Sequence, residues 1–339
     1  MIQDNAQYKE IGDEPDSEPG STTKYKKMTS ATSIEQAIEM KGTFLAGGTD
    51  YMDRYRHHLI AEQPVDLTGI KGLDQIETDA TGQTTIGSLT TIFNVSQNAL
   101  LREKYAGLAI AAGALATPQI RQVATIAGNL TQATRCPYYR HSHLTCTKKG
   151  DKVCGGREGY HAYGVIFDNG GCTHPHPSTL GMALMAYDAE IVINGLVSRS
   201  IFDLYGDGSD HTKDHLLRED ELITSIRLPK AATNEKAAYF RVSSRARAEW
   251  ALVECVARLV MEDDLITSAY IAVGAVGPVP LRLPKVEAAL IGKSSTGEVF
   301  AEAAVNAAEG SNPLPQTEYK VPLLINTTEE TLLLAAGIE

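Results

Sequence analysis

The chain has 339 residues, a net charge of −11 at pH 7 and a hydrophobic fraction of 43%. Single hydrophobic cores seldom grow beyond ~250–300 residues, so this length predicts two or three domains. An acidic chain is repelled by phosphate backbones and anionic lipids, and an aromatic share of only 6% leaves few rings to stack on bases. Nucleic acid is therefore not expected as a partner, and no apolar stretch reaches the length of a membrane span.

Residues 1–23 are predicted to be disordered or extended. Residues 13–23 are acidic and rich in Pro, Gly and Ser, a composition that cannot bury enough apolar surface to fold. The start of the chain lacks the basic residues and apolar core of a secretory signal, so a cytoplasmic location is expected.

Residues 24–80 form the first predicted subdomain. Ser33 and Gln36 are spaced as a capping box at the start of a helix. A short strand at residues 43–45 then runs into the loop AGGTD (46–50). A second strand is predicted within PVDLTGI (64–70), which makes this segment a small mixed unit.

Residues 81–219 form the second predicted subdomain, with a cysteine-rich insertion at about 134–175. An Ala- and Leu-rich stretch predicts a long helical region over roughly residues 91–116, and helical spacing recurs at 176–189. The alternating stretches on either side of Asn194-Gly195 predict a β-hairpin with a two-residue turn.

Residues 220–339 form the predicted C-terminal domain. Helices are expected to begin near Pro284, Thr296 and Thr327. Four stretches before them read as successive strands of one mainly antiparallel sheet, namely ELITSIRLP (221–229), AAYFRVSS (237–244), WALVECVARLVM (250–261) and ITSAYIAVGAV (266–276). The whole chain is therefore assigned to the α+β class.

Two loops are suited to binding an anionic ligand. AGGTD follows a strand, and its adjacent glycines allow backbone N–H groups to approach a diphosphate, with the Thr49 hydroxyl as a further donor. A Gly-Gly pair is more often only a turn, and the GxGxxG fingerprint of a Rossmann domain is absent from this loop. ATPQIRQVATIAGNL (116–130) is a second run of small and polar residues, and two such loops suit a dinucleotide.

FLAGGTD (44–50) and ATIAGNL (124–130) resemble the paired FAD-binding motifs of the flavin subunits of the xanthine oxidase family of molybdenum hydroxylases. The resemblance extends from about Lys24 to the C-terminus. It is strongest to the flavin subunit of periplasmic aldehyde oxidoreductase and next to that of 4-hydroxybenzoyl-CoA reductase. It implies a two-subdomain FAD-binding module (PCMH/VAO-like) followed by a smaller α+β C-terminal domain with a mainly antiparallel sheet.

The resemblance also implies a set of cofactor-binding residues and no catalytic side chain. Tyr51 and Arg241 are the candidates beside the isoalloxazine ring. Thr179 stands where the family usually has Asp, and Arg241 stands where it has Lys, so the flavin environment is expected to differ. The residues expected to bind FAD are Phe44, Leu45, Ala46, Gly47, Gly48, Thr49, Asp50, Tyr51, Thr117, Thr125, Gly128, Asn129, Thr179, Ile223 and Arg241. Val at Gly47 or Gly48 is expected to abolish FAD retention by blocking the backbone.

Four of the five cysteines lie close together in the sequence, at Cys136, Cys146, Cys154 and Cys172, and the fifth, Cys255, is predicted to be a core thiol. Four thiolates satisfy a 4Fe–4S cluster, with one thiolate per iron, or a tetrahedral zinc ion. The spacings fit neither zinc knuckles nor ferredoxin runs. Five histidines in the region would also suit zinc, at His141, His143, His161, His174 and His176. The residues alone therefore leave both metals open.

The family resemblance favours the cluster. Only some flavin subunits of this family carry an insertion at this place, and in those it binds a 4Fe–4S cluster. The motif TRCPYY (134–139) followed by three more cysteines is similar to the aldehyde oxidoreductase pattern. On this interpretation the four cysteines are the metal ligands, and the histidines have structural roles.

The expected function follows from the same resemblance. The chain would be an FAD- and 4Fe–4S-containing electron-transfer subunit of an oxidoreductase complex, with molybdopterin-binding large and 2Fe–2S small subunits as partners and an external electron acceptor. A heterotrimer is implied, with dimerisation possible, and aldehyde is the favoured substrate. Co-export with a partner would place the complex in the periplasm. The alternatives are a stand-alone FAD oxidoreductase and a non-redox module held together by zinc.

Overall fold

The computed structural model describes residues 28–60, 62–245 and 248–338. The N-terminal segment predicted to be disordered, residues 1–23, lies outside the described residues. The strands are β1 (Thr29–Ser30), β2 (Thr43–Leu45), β3 (Pro64–Asp66), β4 (Ile76–Thr78), β5 (Thr84–Gly87), β6 (Glu190–Ile193), β7 (Val197–Ser200), β8 (Ile223–Leu228), β9 (Glu235–Ser243), β10 (Ala251–Glu262), β11 (Leu265–Gly274) and β12 (Leu281–Arg282).

The α-helices are mostly short. They are α1 (Ile34–Glu39), α2 (Tyr51–Arg56), α3 (Ile92–Gln97), α4 (Ala99–Lys104), α5 (Ala106–Ala114), α6 (Pro118–Val123), α7 (Ile126–Leu130), α8 (Pro137–Arg140), α9 (Gly155–Glu158), α10 (Thr179–Ala186), α11 (Ile201–Tyr205), α12 (Pro284–Leu290), α13 (Gly297–Ala304) and α14 (Lys320–Ala336). In the described part of the chain, no helix combines the length and the apolar character needed to cross a membrane.

The first sheet is parallel, with β3 between β1 and β2. Parallel neighbours need crossover connections, and α1 and α2 supply them. Ser33 caps α1 as predicted, since its hydroxyl accepts a hydrogen bond from the amide of Gln36, while the Gln36 side chain accepts one from the amide of Thr32. The strand β2 therefore delivers AGGTD directly to the N-terminus of α2.

The second sheet is antiparallel and has the order β4-β5-β8-β6-β7. Its middle strand, β8, lies in ELITSIRLP, which was predicted to join the C-terminal sheet, and that prediction is wrong. Ile226 of β8 pairs with Ile86 of β5 on one side and with Ile191 of β6 on the other. An apolar strand suits the middle of either sheet, so the sequence pattern does not specify its neighbours.

The helical region predicted over roughly residues 91–116 is present, and it is divided into three helices, α3, α4 and α5. Asn98 ends α3 in an extended conformation and caps α4, because its side chain accepts a hydrogen bond from the amide of Leu101. Tyr105 then ends α4, and its buried hydroxyl donates to the carbonyl of Pro229 at 2.8 Å. Side chains that bond to the backbone thus interrupt the helix despite favourable propensities.

The predicted hairpin forms between β6 and β7, but its turn contains three residues, 194–196, because Ile193 pairs with Val197. Asn194 is held by the neighbouring chain segment, with its amide donating to Leu222 and its side chain accepting from the Leu222 amide. The amide of Gly195 donates to the Thr224 hydroxyl at 3.0 Å. These tertiary contacts open the predicted two-residue turn by one residue.

The third sheet forms the C-terminal domain in the order β12-β11-β10-β9. α14 packs on β9 and β10, whereas α5 and α10 approach the sheet from the second subdomain. Helices begin at Pro284 and after the cap Thr296 as predicted, but α14 begins at Lys320 rather than near Thr327. Pro322 lies in the first turn of α14, where a missing N–H costs no helical hydrogen bond.

Lys320 joins the cysteine-rich insertion at about residues 134–175, called the cysteine region, to the C-terminal domain. It is completely buried, and its ammonium group donates hydrogen bonds to the carbonyls of Gly164 at 2.9 Å and Ala275 at 2.7 Å. Burial lowers the pKa of Lys320 to about 7. The lysine therefore satisfies two carbonyls but is costly to keep charged.

Lys320 gives a prediction about pH. In the unfolded chain its pKa is near 10.5, so from about pH 7 to pH 10 the unfolded chain binds more protons than the folded chain, and stability rises with pH. Lys320→Met removes this contribution. We predict that the free energy of unfolding of the wild type minus that of K320M increases by about 2 kcal/mol from pH 7 to pH 9, as measured by urea unfolding. A constant difference over this range would contradict the prediction.

Candidate functional site

A cleft of about 880 Å³ lies between the helices of the second subdomain, the cysteine region and the edge of the C-terminal sheet. This volume is within the usual range for ligand and cofactor sites. One part of its wall is apolar, with Ile92, Leu115, Ile120 and Ala124. The remaining wall carries charged and hydrogen-bonding groups, so the cleft suits a ligand with an apolar ring and a polar chain.

The cleft brings together predicted cofactor-binding residues from distant parts of the sequence. The residues of that set that line it are Thr49, Asp50, Gly128, Asn129, Thr179 and Arg241. They come from the loop after β2, from α7, from α10 and from β9. The two glycine-containing loops therefore do meet at one cavity.

Other residues of the predicted set face the protein interior. Tyr51 is buried, with its hydroxyl 3.4 Å from the carbonyl of Glu62 and its ring stacked on Tyr55 at 6.0 Å. Ile223 belongs to the core beneath the second sheet, and Phe44 packs against the core of the first. In this structure Arg241, rather than Tyr51, is therefore positioned to approach a ligand ring.

The backbone of AGGTD packs against protein rather than open space. A Cβ at Gly47 would lie 1.8 Å from the carbonyl oxygen of Val123, at the end of α6. Gly48 has a φ of +71°, which favours glycine, but a Cβ there would make only ordinary contacts. Gly47 thus allows the two loops to touch, and Gly48 turns the chain so that Thr49 and Asp50 reach the cleft.

Substitutions of Gly47 and Gly48 are therefore expected to have different effects. We predict that Gly47→Ala separates the loops and weakens FAD binding at least tenfold, whereas Gly48→Ala costs about 1–2 kcal/mol of stability through its left-handed backbone and changes FAD affinity less. Fluorescence titration of the apoprotein with FAD measures the first effect, and thermal unfolding measures the second. Equal loss of FAD affinity in both variants would show that the loop contact is unimportant.

Asp50 is the centre of an ion-pair cluster at the rim of the cleft. Its carboxylate contacts Arg54 at 3.0 Å, Arg135 at 3.1 Å and Arg140 at 2.7 Å, and accepts a hydrogen bond from the amide of Ala133 at 3.1 Å. Burial opposes ionisation, but the three guanidinium groups outweigh it, so the pKa of Asp50 is lowered. One carboxylate thereby ties AGGTD to the start of the cysteine region.

Asp50→Asn leaves these guanidinium groups without their shared counter-charge. We predict a loss of about 3 kcal/mol in the free energy of unfolding, together with weaker FAD retention, because AGGTD separates from the start of the cysteine region. Asp53→Asn is the matched control, since Asp53 binds the same Arg140 at 2.6 Å but is 45% exposed, and it should cost less than about 1 kcal/mol. Urea unfolding of both variants checks the prediction, and equal losses would contradict it.

The second loop is organised by helix caps. The hydroxyls of Thr117 and Thr125 cap α6 and α7 by accepting hydrogen bonds from the amides of Ile120 and Gly128. Asn129 connects α7 to α10, because its side-chain oxygen accepts from the Ser178 hydroxyl at 2.9 Å and from a backbone amide of α10. The predicted polar residues thus fix the helix N-termini that border the cleft.

Two arginines in the cleft wall have spare donors. Among the described residues, no hydrogen-bond partner is present for the buried Nε atoms of Arg135 and Arg241. Arg135 also stacks over Trp250, with 4.6 Å between the guanidinium carbon and the ring centre. Unsatisfied cationic donors at a cavity fit an anionic ligand such as a dinucleotide diphosphate.

Glu254 is a cleft residue that the sequence analysis did not single out. It is 3% exposed, and its carboxyl accepts hydrogen bonds from Thr179 at 2.8 Å and Tyr239 at 2.7 Å. Burial raises its pKa. A charged residue inside the apolar run WALVECVARLVM was a usable signal, because an unpaired Glu is rarely placed in a core.

The cysteine region brings its thiols together in a buried setting. Cys136, Cys146 and Cys154 each directly precede a short helical turn, and backbone amides of these turns approach the sulfur atoms. The sulfur of Cys136 is near enough to Cys146 and Cys154 for their charges to raise its pKa, and Cys136 acts in the same way on Cys172. All five cysteines of the chain are free of disulfides.

The thiols differ in their acidity. Burial raises the pKa of Cys136 to about 11 and that of Cys172 to about 12. For Cys154 burial acts in the same direction, but hydrogen bonds from Thr173 and nearby amides outweigh it and lower the pKa. Without a bound cation most of these thiols are therefore protonated at neutral pH.

Over residues 28–60, 62–245 and 248–338, no group of three or more His, Cys, Asp or Glu side chains converges on a point where one metal ion could lie. The histidines of the region have structural contacts. His176 is held between the carbonyl of Asp214 and the amide of Ser178, and His161 lies 3.0 Å from the carbonyl of Gly156. Burial lowers the pKa of both His174 and His176 to about 4.

Comparisons with known families identify the two parts of the chain. Residues 21–231 match the FAD binding domain in molybdopterin dehydrogenase, and residues 238–333 match the CO dehydrogenase flavoprotein C-terminal domain. The aldehyde oxidoreductase FAD-binding subunit PaoB of Escherichia coli (strain K12) is 34% identical over 257 residues, which cover 73% of this chain and 78% of PaoB. The nicotinate dehydrogenase FAD-subunit of Eubacterium barkeri is 22% identical, with coverage of 79% and 77%.

Solved structures show the same architecture. Carbon monoxide dehydrogenase from Hydrogenophaga pseudoflava and quinoline 2-oxidoreductase from Pseudomonas putida 86 each align with a TM-score of 0.71, at 21% and 19% identity. Each alignment covers 92% of this chain and 97% of the matched chain. The predicted two-domain α+β fold with a C-terminal antiparallel sheet is confirmed.

The family match and the fold define a flavin subunit of an oxidoreductase complex whose substrate is oxidised in another subunit. The chain belongs to the FAD-binding subunits of the xanthine oxidase and CO dehydrogenase family of molybdenum hydroxylases. The predicted FAD-binding family is therefore confirmed. The individual FAD contacts and the 4Fe–4S cluster stay predictions.

Proposed function

We propose that this chain transfers electrons within a molybdenum hydroxylase complex by means of FAD in the cleft and a 4Fe–4S cluster bound by Cys136, Cys146, Cys154 and Cys172. One observation carries the proposal, namely that the cysteine region forms part of the cleft wall. Arg135 and Pro137, on either side of Cys136, both line the cleft, as does His174, two residues after Cys172. A cluster on these cysteines would therefore be a neighbour of the flavin.

The residues present fit FAD. Bound FAD supplies a centre that accepts single electrons and releases pairs. The apolar wall from Ile92 to Ala124 would cover the ring system, and Thr49, Gly128 and the guanidinium groups of Arg135 and Arg241 offer donors for the diphosphate and the ring edge. Asp50 holds AGGTD against the cysteine region, and Trp250 lines the cleft from the side of the C-terminal domain.

Four cysteine thiols suit a 4Fe–4S cluster, and the family resemblance favours this cluster over a zinc ion. Zinc ligands must converge on a single point, whereas each thiolate of a cubane binds its own iron at a different corner. Cys136 is near enough to Cys146, Cys154 and Cys172 for the charges of their thiolates to interact. The amides beside Cys136, Cys146 and Cys154 would donate to the sulfurs and stabilise the anionic cluster.

The complex is proposed from the relatives. PaoB is the FAD-binding subunit of an aldehyde oxidoreductase, which favours an aldehyde as the substrate of the complex. We infer a heterotrimer with a molybdopterin-binding large subunit and a 2Fe–2S small subunit, which could dimerise further, and an external acceptor that receives the electrons. The expected location is cytoplasmic, with co-export to the periplasm as the alternative. Neither a stand-alone flavoenzyme nor a non-redox zinc module is favoured by the family match.

The cluster gives a prediction in two parts. The wild-type chain, purified anaerobically with its partners, should contain FAD and about four iron and four sulfide per chain beyond those of the partners. Cys146→Ser should lose this iron but retain FAD, because Cys146 does not line the cleft. Cys255→Ala is the control, since Cys255 lies in the core of the C-terminal domain and should leave the iron content unchanged.

Iron, zinc and sulfide analysis with absorption spectra before and after dithionite makes the measurement. Zinc in place of iron would overturn the cluster and leave the FAD function intact. FAD missing from the wild-type complex would overturn the proposed function.

A further inference from the structure

Glu254 occupies a place in the C-terminal sheet that is built around its carboxyl group. Its neighbour on β9 is Arg241, and its neighbour on β11 is Gly274. A Cβ at Gly274 would lie 2.6 Å from Oε1 of Glu254 and 2.9 Å from its Cγ. Any larger residue at Gly274 would therefore displace the glutamate side chain that lines the cleft.

Two hydroxyl groups hold this carboxyl in position. Thr179 of α10 donates to both oxygens, at 3.1 Å and 2.8 Å, and Tyr239 of β9 donates to Oε2 at 2.7 Å. Burial raises the pKa of Tyr239 well above 10, so the phenol remains a donor. Because an ionised carboxylate accepts up to about four hydrogen bonds, Oε1 keeps capacity for a further partner.

We propose that Glu254 is a redox-linked proton acceptor, whose carboxylate takes up a proton when FAD bound in the cleft is reduced. The proposal rests on the proposed placement of FAD in this cleft. Thr179 and Tyr239 act as positioning residues, since they orient the carboxyl from two different elements. Glu254 shares the cleft wall with Thr179 and Arg241, so its charge is close to any ring bound there.

The charge balance explains why a proton moves. A one-electron donor, such as a reduced iron–sulfur centre, supplies two electrons in succession. When the flavin takes both electrons and one proton, the cleft gains one negative charge. A nearby negative charge disfavours an ionised carboxylate, so Glu254 binds a second proton from solvent and cancels this charge. In total, two electrons and two protons enter the site.

The groups around Glu254 determine how readily its carboxyl group takes up a proton. Arg241 across the sheet is positively charged and favours the carboxylate, as do the two hydroxyl donors, whereas burial disfavours it and prevails. His174 and His176, elsewhere on the cleft wall, have pKa values lowered to about 4 by burial and are neutral at neutral pH. The two other carboxyl groups that line the cleft, Asp50 and Glu249, have pKa values lowered by their partners, whereas the pKa of Glu254 is raised, so Glu254 is the carboxyl of this wall that is shifted towards protonation.

The test is the pH dependence of the flavin reduction potential, measured with the full-length chain and its bound FAD by mediated titration from pH 5.5 to pH 8.5. Each proton taken up with two electrons changes the reduction equilibrium tenfold per pH unit, or about 30 mV. The wild type should show an interval in which the equilibrium changes about a hundredfold per pH unit. Glu254→Gln should show only about tenfold over that interval, and Glu254→Asp should recover part of the steeper slope.

Glu221→Gln is the matched control, because Glu221 is also 3% exposed but pairs with Arg199 and Arg218, away from the cleft. Its slope should equal that of the wild type. If E254Q binds FAD and keeps the wild-type slope, the proposal is wrong, whereas a wild-type chain that binds no FAD would contradict the proposed function instead.

If E254Q does not retain FAD, Tyr239→Phe and Thr179→Val decide the question. Each keeps the carboxyl but removes a donor that favours its ionised form, so the steep interval should move to higher pH. An interval that stays in place in both variants would overturn the proposal.

Discussion

The structure depends on the charge of Asp50. This carboxylate is 12% exposed and is shared by Arg54 of its own helix and by Arg135 and Arg140 of the cysteine region. A buried charge of this kind is stable only when counter-charges and hydrogen bonds surround it, and removal of one partner leaves the others uncompensated. The interaction therefore fixes AGGTD against the segment that carries the first cysteine. This contact shapes the rim of the cleft, because Asp50 and Arg135 line the cavity together with their sequence neighbours Thr49 and Pro137.

The same physical constraint recurs at two other buried ionisable groups, Lys320 and Glu254. Lys320 ties the end of the cysteine region to the C-terminal domain through two carbonyls, and Glu254 is held by hydroxyls from α10 and β9. Each group pays for its burial with contacts to two separate elements. Polar side chains thus fix contacts between the FAD module, the cysteine region and the C-terminal sheet, and these units also share apolar cores. At Thr179, where the family usually has Asp, a carboxyl group is still present, but Glu254 of β10 supplies it.

Several features of the site could be predicted from local patterns. AGGTD and ATIAGNL lie at one cleft as expected, because a strand-to-helix loop rich in glycine is recognisable within a few residues. Their partners could not be predicted. Position 47 must be glycine because the carbonyl of Val123, about 75 residues later in the chain, leaves no room for a Cβ. The approach of a ligand is therefore not the only reason for this glycine. Glu254 was missed because a strand that is buried on both faces gives no indication of which cavity a single polar residue will meet.

The sequence by itself determined the short-range structure and the chemical inventory. The cap at Ser33, the starts of the helices at Pro284 and Thr296, and the four clustered cysteines all depend on residues within a turn or on composition. Only the tertiary structure decided that β8 joins the second sheet, that Asn194 opens its turn, and that Glu254 meets Thr179. These features depend on hydrogen bonds and charge pairs between segments far apart in the chain. A local sequence pattern does not contain the energies of such contacts.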